Sequence, residues 1–365
     1  MRLRRAYILV LILSLLVVDE SSPFLLRPAS ANILFSIPLW LRIFRTLRTV
    51  NFSKISKVWD QLRSFLRGHG GRLRTGDVVD GISRLQDYFQ LFGYLNSTLN
   101  SNFTDEFSAE LESAIKYFQK TFHLNATGQP DNATASLITL PRCGFPDVIN
   151  GSITVTENST TPFTKWWQEG KIEFTYAFSP ENETMTTSLK VVFSDAFSRW
   201  SVVTRLNFTE TTSFNESDIR IMFLSLDGQL GLVGGGWLDK TTMSWGIVLD
   251  VDEKWVLPSQ NSTESDELDL ETVVMHQIGH VLGLSHSAIE EAVMYPFNLA
   301  SKKRKVDFAK DELERIQQFY GAKSDSSELS PAQSPSPETG VVGGAGPRWG
   351  RDTTLWLGIM LLFWF

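Results

Sequence analysis

Three of the five histidines in this 365-residue chain fall within the run His276-Gln277-Ile278-Gly279-His280-Val281-Leu282-Gly283-Leu284-Ser285-His286. That crowding restricts the fold more than any other feature. His276 and His280 are one helical turn apart, so both imidazoles project from one face and can bind a single Zn²⁺ at about 2.1 Å. Gly283 can take a positive φ and end the helix, so the chain turns back and His286 becomes a third ligand. Three protein ligands leave one coordination position open. The run Leu268 to Leu282 has the length and periodicity for the helix this requires.

The rest of the composition restricts the surroundings of that site. At about 150 residues per domain the length implies two domains plus flanking segments. The 42% hydrophobic and 12% aromatic content excludes wholesale disorder. A formal charge of −7 is poorly suited to neutralising phosphates, so no nucleic-acid partner is expected. Cys143 is the single cysteine, which excludes an intrachain disulfide.

Both ends read as addresses. Arg2, Arg4 and Arg5 precede the apolar run Ala6 to Val18, the order of a secretory signal, assigned to residues 1–31. Leu355 to Phe365 is apolar but far short of the roughly 20 residues that span a bilayer. It follows the small residues Gly343, Gly344 and Ala345 and a polar spacer, the order of a glycolipid (GPI) anchor signal, assigned to 346–365. Asn51, Asn96, Asn102, Asn125, Asn132, Asn150, Asn158, Asn182, Asn207, Asn215 and Asn261 each open a sequon, as expected of a glycosylated extracellular protein on the plasma membrane.

Between these ends, Trp59 to about Ile138 has helical spacing and forms a small all-helical unit. Residues 150–163 are polar and without period, a linker or processing segment. Ile172 to Tyr176 alternates as a strand, Leu189 to Trp200 carries an amphipathic stripe, Ile219 to Leu224 is a second strand and Ile247 to Val251 a third. Gly231, Gly234, Gly235 and Gly236 are expected to break regularity between them. A last helix through Leu313, Ile316 and Phe319 stops at Gly321, and a Ser/Pro/Gly-rich stalk follows over 322–345. The basic run Lys302 to Lys305 reads as a solvated face. The expected fold class is mixed α/β (α+β), with strands, the histidine helix and loops in one domain.

Downstream of the histidines, Ala292-Val293-Met294-Tyr295-Pro296 completes the metzincin pattern, with Met294 in the Met-turn. With this pattern the chain resembles the matrix metalloproteinases, or matrixins, of the plant type that ends in a GPI-like tail. The resemblance covers roughly Trp59 to Gly321. It implies a twisted mixed sheet with an active-site helix over 164–321, preceded by a propeptide over 32–149 that contains a helical peptidoglycan-binding-like domain. It also implies an endopeptidase that cleaves extracellular proteins or peptides. In the family a Pro-Arg-Cys-Gly-x-Pro-Asp segment ends the propeptide, and its thiolate takes the fourth zinc position to keep the enzyme latent. Here that segment is Pro141-Arg142-Cys143-Gly144-Phe145-Pro146-Asp147, and a thiolate is a strong zinc ligand. By the same resemblance Ca²⁺ is held by the side chains of Asp227, Asp250 and Glu253 and the carbonyls of Gly228, Leu230 and Leu232.

Two departures alter the expectation. The family's general-base glutamate is Gln277. An amide has no useful basicity near neutral pH, so assistance worth about 10²–10⁴-fold is lost. The reading is therefore a latent zinc endopeptidase of reduced activity; the alternative is a pseudopeptidase that binds zinc and peptides without cleaving. The histidines that hold the family's structural zinc are also missing. The His-Gly-Asp loop is deleted before Leu226, the next position falls near Gly235 and the last aligns with Val248. No structural zinc is expected.

Overall fold

The computed structural model describes residues 52–68, 73–95, 103–149, 152–153, 155, 170–180, 186–239, 241–260, 266–298 and 304–322. All lie in one compact unit, residues 1–323. The signal peptide, most of the 150–163 segment, the stalk beyond residue 322 and the anchor signal lie outside the described residues. So do Lys302, Lys303 and the sequon asparagines 51, 96, 102, 150, 158, 182 and 261.

Four helices come first: α1 (Phe52–Gly68), α2 (Ile82–Leu91), α3 (Ala109–Thr121) and α4 (Asn132–Ile138). Short polar side chains start the last two. Ser108 accepts from the Leu111 N–H and Asp131 from the Thr134 N–H, satisfying donors that a helix start leaves unpaired. The apolar faces meet in an aromatic core in which Tyr88, Phe89, Tyr94 and Phe118 pack edge to face at centroid separations of 5.4–6.3 Å. This core is not self-contained, because Leu232, Tyr295 and Phe297 from the later part of the chain belong to the same buried cluster.

The chain then forms β1 (Arg142–Cys143) and a small hairpin of β2 (Val148–Ile149) and β3 (Ser152–Ile153). Next come β4 (Glu173–Phe178), α5 (Thr187–Val203), β5 (Asn207–Glu210), β6 (Ile219–Leu224), β7 (Leu232–Asp239) and β8 (Ser244–Asp250). Finally β9 (Lys254–Val256) and β10 (Glu267–Asp269) lead into α6 (Leu270–Val281) and α7 (Lys310–Tyr320). Six strands make one sheet in the order β1-β7-β8-β6-β4-β5. All neighbours are parallel except β7 and β8.

Strand alternation divides the sheet's two faces. Ile219, Ile221, Phe223, Ile247 and Leu249 join the main core with Val192, Phe193, Ala196, Phe197 and Trp200 of α5 and Val274 and Ile278 of α6. Met222 and Val248 point the other way and gather Leu226, Phe214, Leu224 and Trp237 into a second, smaller apolar cluster.

Two sequence expectations fail. Ile172 is 48% exposed and the strand starts one residue later, at Glu173. The glycines also do not interrupt the sheet, since β7 runs through Gly234, Gly235 and Gly236. Close strand neighbours account for Gly234 and Gly236, whereas a side chain at Gly235 would meet open space. A Cβ at Gly234 would stand 2.6 Å from the Val248 carbonyl oxygen, and one at Gly236 would stand 2.6 Å from Trp245 Nε1. Of the basic run, Arg304 pairs with Asp269 at 3.0 Å and Lys305 donates to the Glu290 carbonyl, so these two are tied down rather than freely solvated.

Candidate active site

α6 starts at Asp269, whose side chain accepts from the Thr272 N–H at 2.8 Å, and it is buried along its length. It carries His276 and His280 on one face, with their Nε2 atoms 3.0 Å apart. The helix ends at Gly283, φ +89°, and Leu284 N donates back to the Gly279 carbonyl at 2.9 Å. This reversal returns His286 to the site, its Nε2 3.2 Å from that of His280.

Each ring's other nitrogen has a fixed partner: Val293 O for His276, Leu284 O for His280 and Asp147 Oδ1 for His286, at 2.9, 2.9 and 2.8 Å. These contacts turn all three Nε2 atoms inward, the usual outer-sphere arrangement of a histidine metal site. Burial, reinforced by the neighbouring imidazoles, holds His276 and His280 well below the ordinary histidine range. Burial also lowers His286, against the pull of Asp147. Neutral imidazole is the form that binds metal.

Cys143 brings the fourth donor. One ligand atom from each of Cys143, His276, His280 and His286 lies within 4.8 Å of the others, all four residues buried. The sulfur is delivered by β1, the edge strand of the sheet, which runs parallel to β7. Arg142 N donates to Gly231 O at 2.9 Å, Cys143 N to Pro296 O at 2.9 Å and Gly144 N to Gly234 O at 2.8 Å. Arg142, wholly buried, stacks on Phe92 with its guanidinium 3.5 Å from the ring centroid and pairs with Asp147 at 2.7 Å. Asp147 is held in turn by the Phe92 carbonyl, which accepts from both Asp147 N and Val148 N at 3.1 Å. Gly93 makes that approach possible, since a Cβ there would sit 2.0 Å from Val148 O. Phe145 stacks on His280 at 4.3 Å. Burial pushes the Cys143 thiol up to about 11, against the Phe145 N–H, the Gln277 amide and the Arg142 guanidinium; a coordinated thiol would be deprotonated outright.

Gln277 is 1% exposed in the same cavity. Its Nε2 donates to Cys143 Sγ at 3.3 Å, while its Oε1 is buried without a hydrogen-bond partner. Met294 lies beneath the histidines, fully buried, with its sulfur where a side chain at Gly279 would be.

The residues expected to bind calcium also come together, but less tightly. Asp227, Asp250 and Glu253 are buried, and desolvation raises all three, Asp227 to about 8 and Glu253 to about 7. Their oxygens accept backbone N–H groups: Leu232 on Asp227, Leu226 and Asp227 on Asp250, Leu230 on Glu253. Gly228 and Leu230 have positive φ in the loop between, and the Leu230 carbonyl accepts from Arg63 of α1 at 2.8 Å. Of the positions that the resemblance gives to the structural-zinc ligands, Gly235 and Val248 stand opposite each other on β7 and β8. Those side chains are apolar and offer a metal no donor.

Two residues had no role in the sequence reading. The single carboxylate of Asp147 links the Cys143 strand to His286. Glu312 accepts from Val293 N at 3.2 Å and Met294 N at 2.5 Å, and so fixes the Met-turn. Neither link has a sequence signal, because both join distant segments.

Comparison with known proteins agrees with this geometry. The matrixin family pattern matches residues 165–321, and that of a putative peptidoglycan binding domain matches 79–138. Metalloendoproteinase 2-MMP of Arabidopsis thaliana is 37% identical over 325 residues, covering 80% of this chain and 83% of the relative. Metalloendoproteinase 1 of Glycine max is 36% identical over 67% of this chain and 84% of the relative. Neutrophil collagenase of Homo sapiens is 27% identical over 69% of this chain and 53% of the relative. With a histidine helix, Met-turn and cysteine strand assembled in one cavity and this extent of likeness, the chain belongs to the matrixin family of metalloendopeptidases.

Proposed function

We propose that the chain is a latent zinc endopeptidase of the extracellular surface whose activity Gln277 reduces. The observation that carries the reading is the convergence of Cys143, His276, His280 and His286 in one buried cavity. The donor set fits zinc: one sulfur and three neutral imidazoles with oriented second nitrogens. When bound there, zinc supplies a Lewis acid for the scissile carbonyl of a protein or peptide substrate. The three histidines would hold it, Cys143 would exclude water from the fourth position, and β7 would offer an extended partner the edge that β1 now occupies. Gln277 takes the position that the resemblance gives to the general base, and an amide there would be no proton acceptor of useful strength.

The remaining assignments belong to the same proposal. Residues 1–31 direct secretion, 32–149 form the propeptide, 150–163 the processing segment and 164–321 the catalytic domain. Residues 322–345 are a stalk and 346–365 direct glycolipid anchoring to the plasma membrane. Asn125, Asn132, Asn207 and Asn215, exposed among the described residues, suit glycosylation. Calcium would sit at Asp227, Asp250 and Glu253, whose desolvated carboxylates a cation would relieve.

The second reading, a pseudopeptidase that retains zinc and peptide binding, is favoured by Gln277 alone. One experiment separates the two. Hydrolysis of a quenched fluorescent peptide is followed after a thiol reagent displaces Cys143, in the parent, Gln277→Glu and His280→Ala, with bound zinc quantified in each. Weak turnover in the parent that rises about 10²-fold or more in Gln277→Glu supports the enzyme. Turnover confined to Gln277→Glu supports the pseudopeptidase. Absence of zinc from the parent refutes both.

A further inference from the structure

Gln277 has a partner inside the latent site, and that partner is the prosegment. Its Nε2 lies 3.3 Å from Cys143 Sγ, and the Phe145 N–H meets the same sulfur at 3.4 Å. Both residues are buried, so neither donor exchanges its bond for one to water without opening the site. A glutamate here would occupy nearly the same volume with opposite chemistry. Ionised, it would place an acceptor-only group against the sulfur, and against a metal-held thiolate it would place a second negative charge. An amide donates instead, and hydrogen bonds to an ionised acceptor are the stronger kind.

We propose that Gln277 is a positioning residue for Cys143, a clamp that fixes the sulfur over the three histidines and makes the latched form of this chain harder to open than a glutamate would. One substitution then has two linked effects: it weakens proton transfer and strengthens inhibition. The clamp works with contacts already described. To lift Cys143 out, the chain must break three backbone bonds between β1 and its surroundings, the buried bond of Asp147 to His286, and the Gln277 bond at once. The first two belong to the prosegment's own design, whereas the Gln277 bond comes from the catalytic helix. It rests on the reading of this cavity as the zinc site, but the hydrogen bond joins two protein atoms and can be tested with or without metal.

The test is the rate at which iodoacetamide alkylates the full chain. Cys143 is the only cysteine, so one added mass reports one site. It is wholly buried, so reaction passes through the opened latch and its rate reports the opening equilibrium. Gln277→Met keeps the volume, removes the donor and cannot act as a base. Gln277→Glu replaces the donor with an acceptor. Mass analysis restricted to intact chains excludes any that have lost the prosegment by cleavage. Gln277→Met should be alkylated about tenfold faster than the parent, equivalent to about 1.4 kcal/mol in opening, and Gln277→Glu faster still. Before alkylation the unfolding free energy should fall by no more than this same amount, because the unfolded chain lacks the bond too; after alkylation, which removes the latch, the midpoints of parent and variants should coincide, which a purely structural role of Gln277 would not allow. Equal rates in the parent and both variants, or slower reaction in Gln277→Glu, would overturn the clamp. On chelated protein, where a protonated thiol can itself donate to a carboxylate, the parent is compared with Gln277→Met alone, which keeps the two questions apart. Zinc content and peptide turnover judge the zinc-peptidase reading, and the ratio of alkylation rates judges the clamp.

Discussion

Gly279 sits in the middle of α6, where helix propensity alone says that alanine should be better by about 1 kcal/mol. The packing gives the opposite sign. A Cβ built at Gly279 lies 2.3 Å from Met294 Sδ, 3.2 Å from Met294 Cε and 3.2 Å from a Trp200 ring carbon. Comfortable contacts between such atoms are about 3.5–4 Å, so the sulfur would have to move by more than 1 Å. Met294 and Trp200 are both fully buried, and the Trp200 indole N–H is committed to the Met275 carbonyl at 3.2 Å. Methionine is flexible but has no free volume to enter here. Overpacking of this kind costs about 1–3 kcal/mol, and a contact this short belongs in the upper half of that range. After the propensity gain, Gly279→Ala should lose about 1–2 kcal/mol, or a melting temperature lower by about 2–8 °C. The Met-turn also carries the Val293 carbonyl that orients His276, so zinc affinity should fall in the same variant, by as much as about 10–100-fold. Thermal unfolding and a competitive zinc chelator measure the two effects. In a double-mutant cycle with Met294→Ala, the added methyl should partly fill the space the sulfur vacates, and the two changes should couple by about 1 kcal/mol or more. A Gly279→Ala protein as stable as the parent, or additive behaviour in the cycle, would refute the argument.

Other expectations follow from other contacts. Replacing Arg142 with methionine leaves Asp147 buried without its guanidinium and should cost about 3–5 kcal/mol of stability in the latched chain, read as a lower urea midpoint with retained secondary structure. An unchanged midpoint would mean that Tyr94 and His286 suffice as partners for Asp147. Glu312 is raised to about 7 because burial outweighs the three backbone N–H groups it accepts. A carboxyl whose folded value is raised holds its proton longer in the folded state, so the Glu312 contribution to stability is fully present below about pH 4.5 and is lost, by about 3 kcal/mol, as pH rises through 7. Glu312→Gln should flatten that slope in unfolding titrations, and a slope that survives the substitution assigns it to another group. Removal of zinc by a chelator should leave the small cluster of Met222, Leu226 and Val248 intact, because apolar contacts hold it. Metal analysis should therefore return about one zinc per chain, and a second tightly held zinc would show that donors lie elsewhere.

The parts of this molecule legible in the sequence are those with a local period or a compact spacing. α6 and its two histidines follow from a four-residue interval, and the return of His286 follows from Gly283, whose φ of +89° is what the reversal requires. The stripe of α5 and the strand β6 were equally open to reading. β7 is hidden because its glycines signal loops, whereas Gly234 and Gly236 are there to let Val248, Trp245 and the chain of β8 come close. β5, β9 and β10 are three or four residues long and show no period. Cys143 was placed by family resemblance, and the means of its delivery was not. The Arg142 stack on Phe92, the Asp147 bond to His286 and the Glu312 bonds to the Met-turn join positions that only the folded chain brings together. The helical unit looked separable in sequence, yet its aromatic core is closed by Leu232, Tyr295 and Phe297 from beyond it.

The sheet has two edges, and they are protected unequally. β5 at one side is four residues long, too short to template much pairing. β7 at the other side is eight residues long, and its outer backbone groups meet β1 only around Arg142 to Gly144. Any event that lifts β1 turns that side into a bare ladder of N–H and C=O groups, to which an extended peptide and a second copy of the same sheet have equal claim. The prosegment strand therefore doubles as a guard on solubility, and the conditions that open the site set substrate capture against self-association for one row of hydrogen bonds.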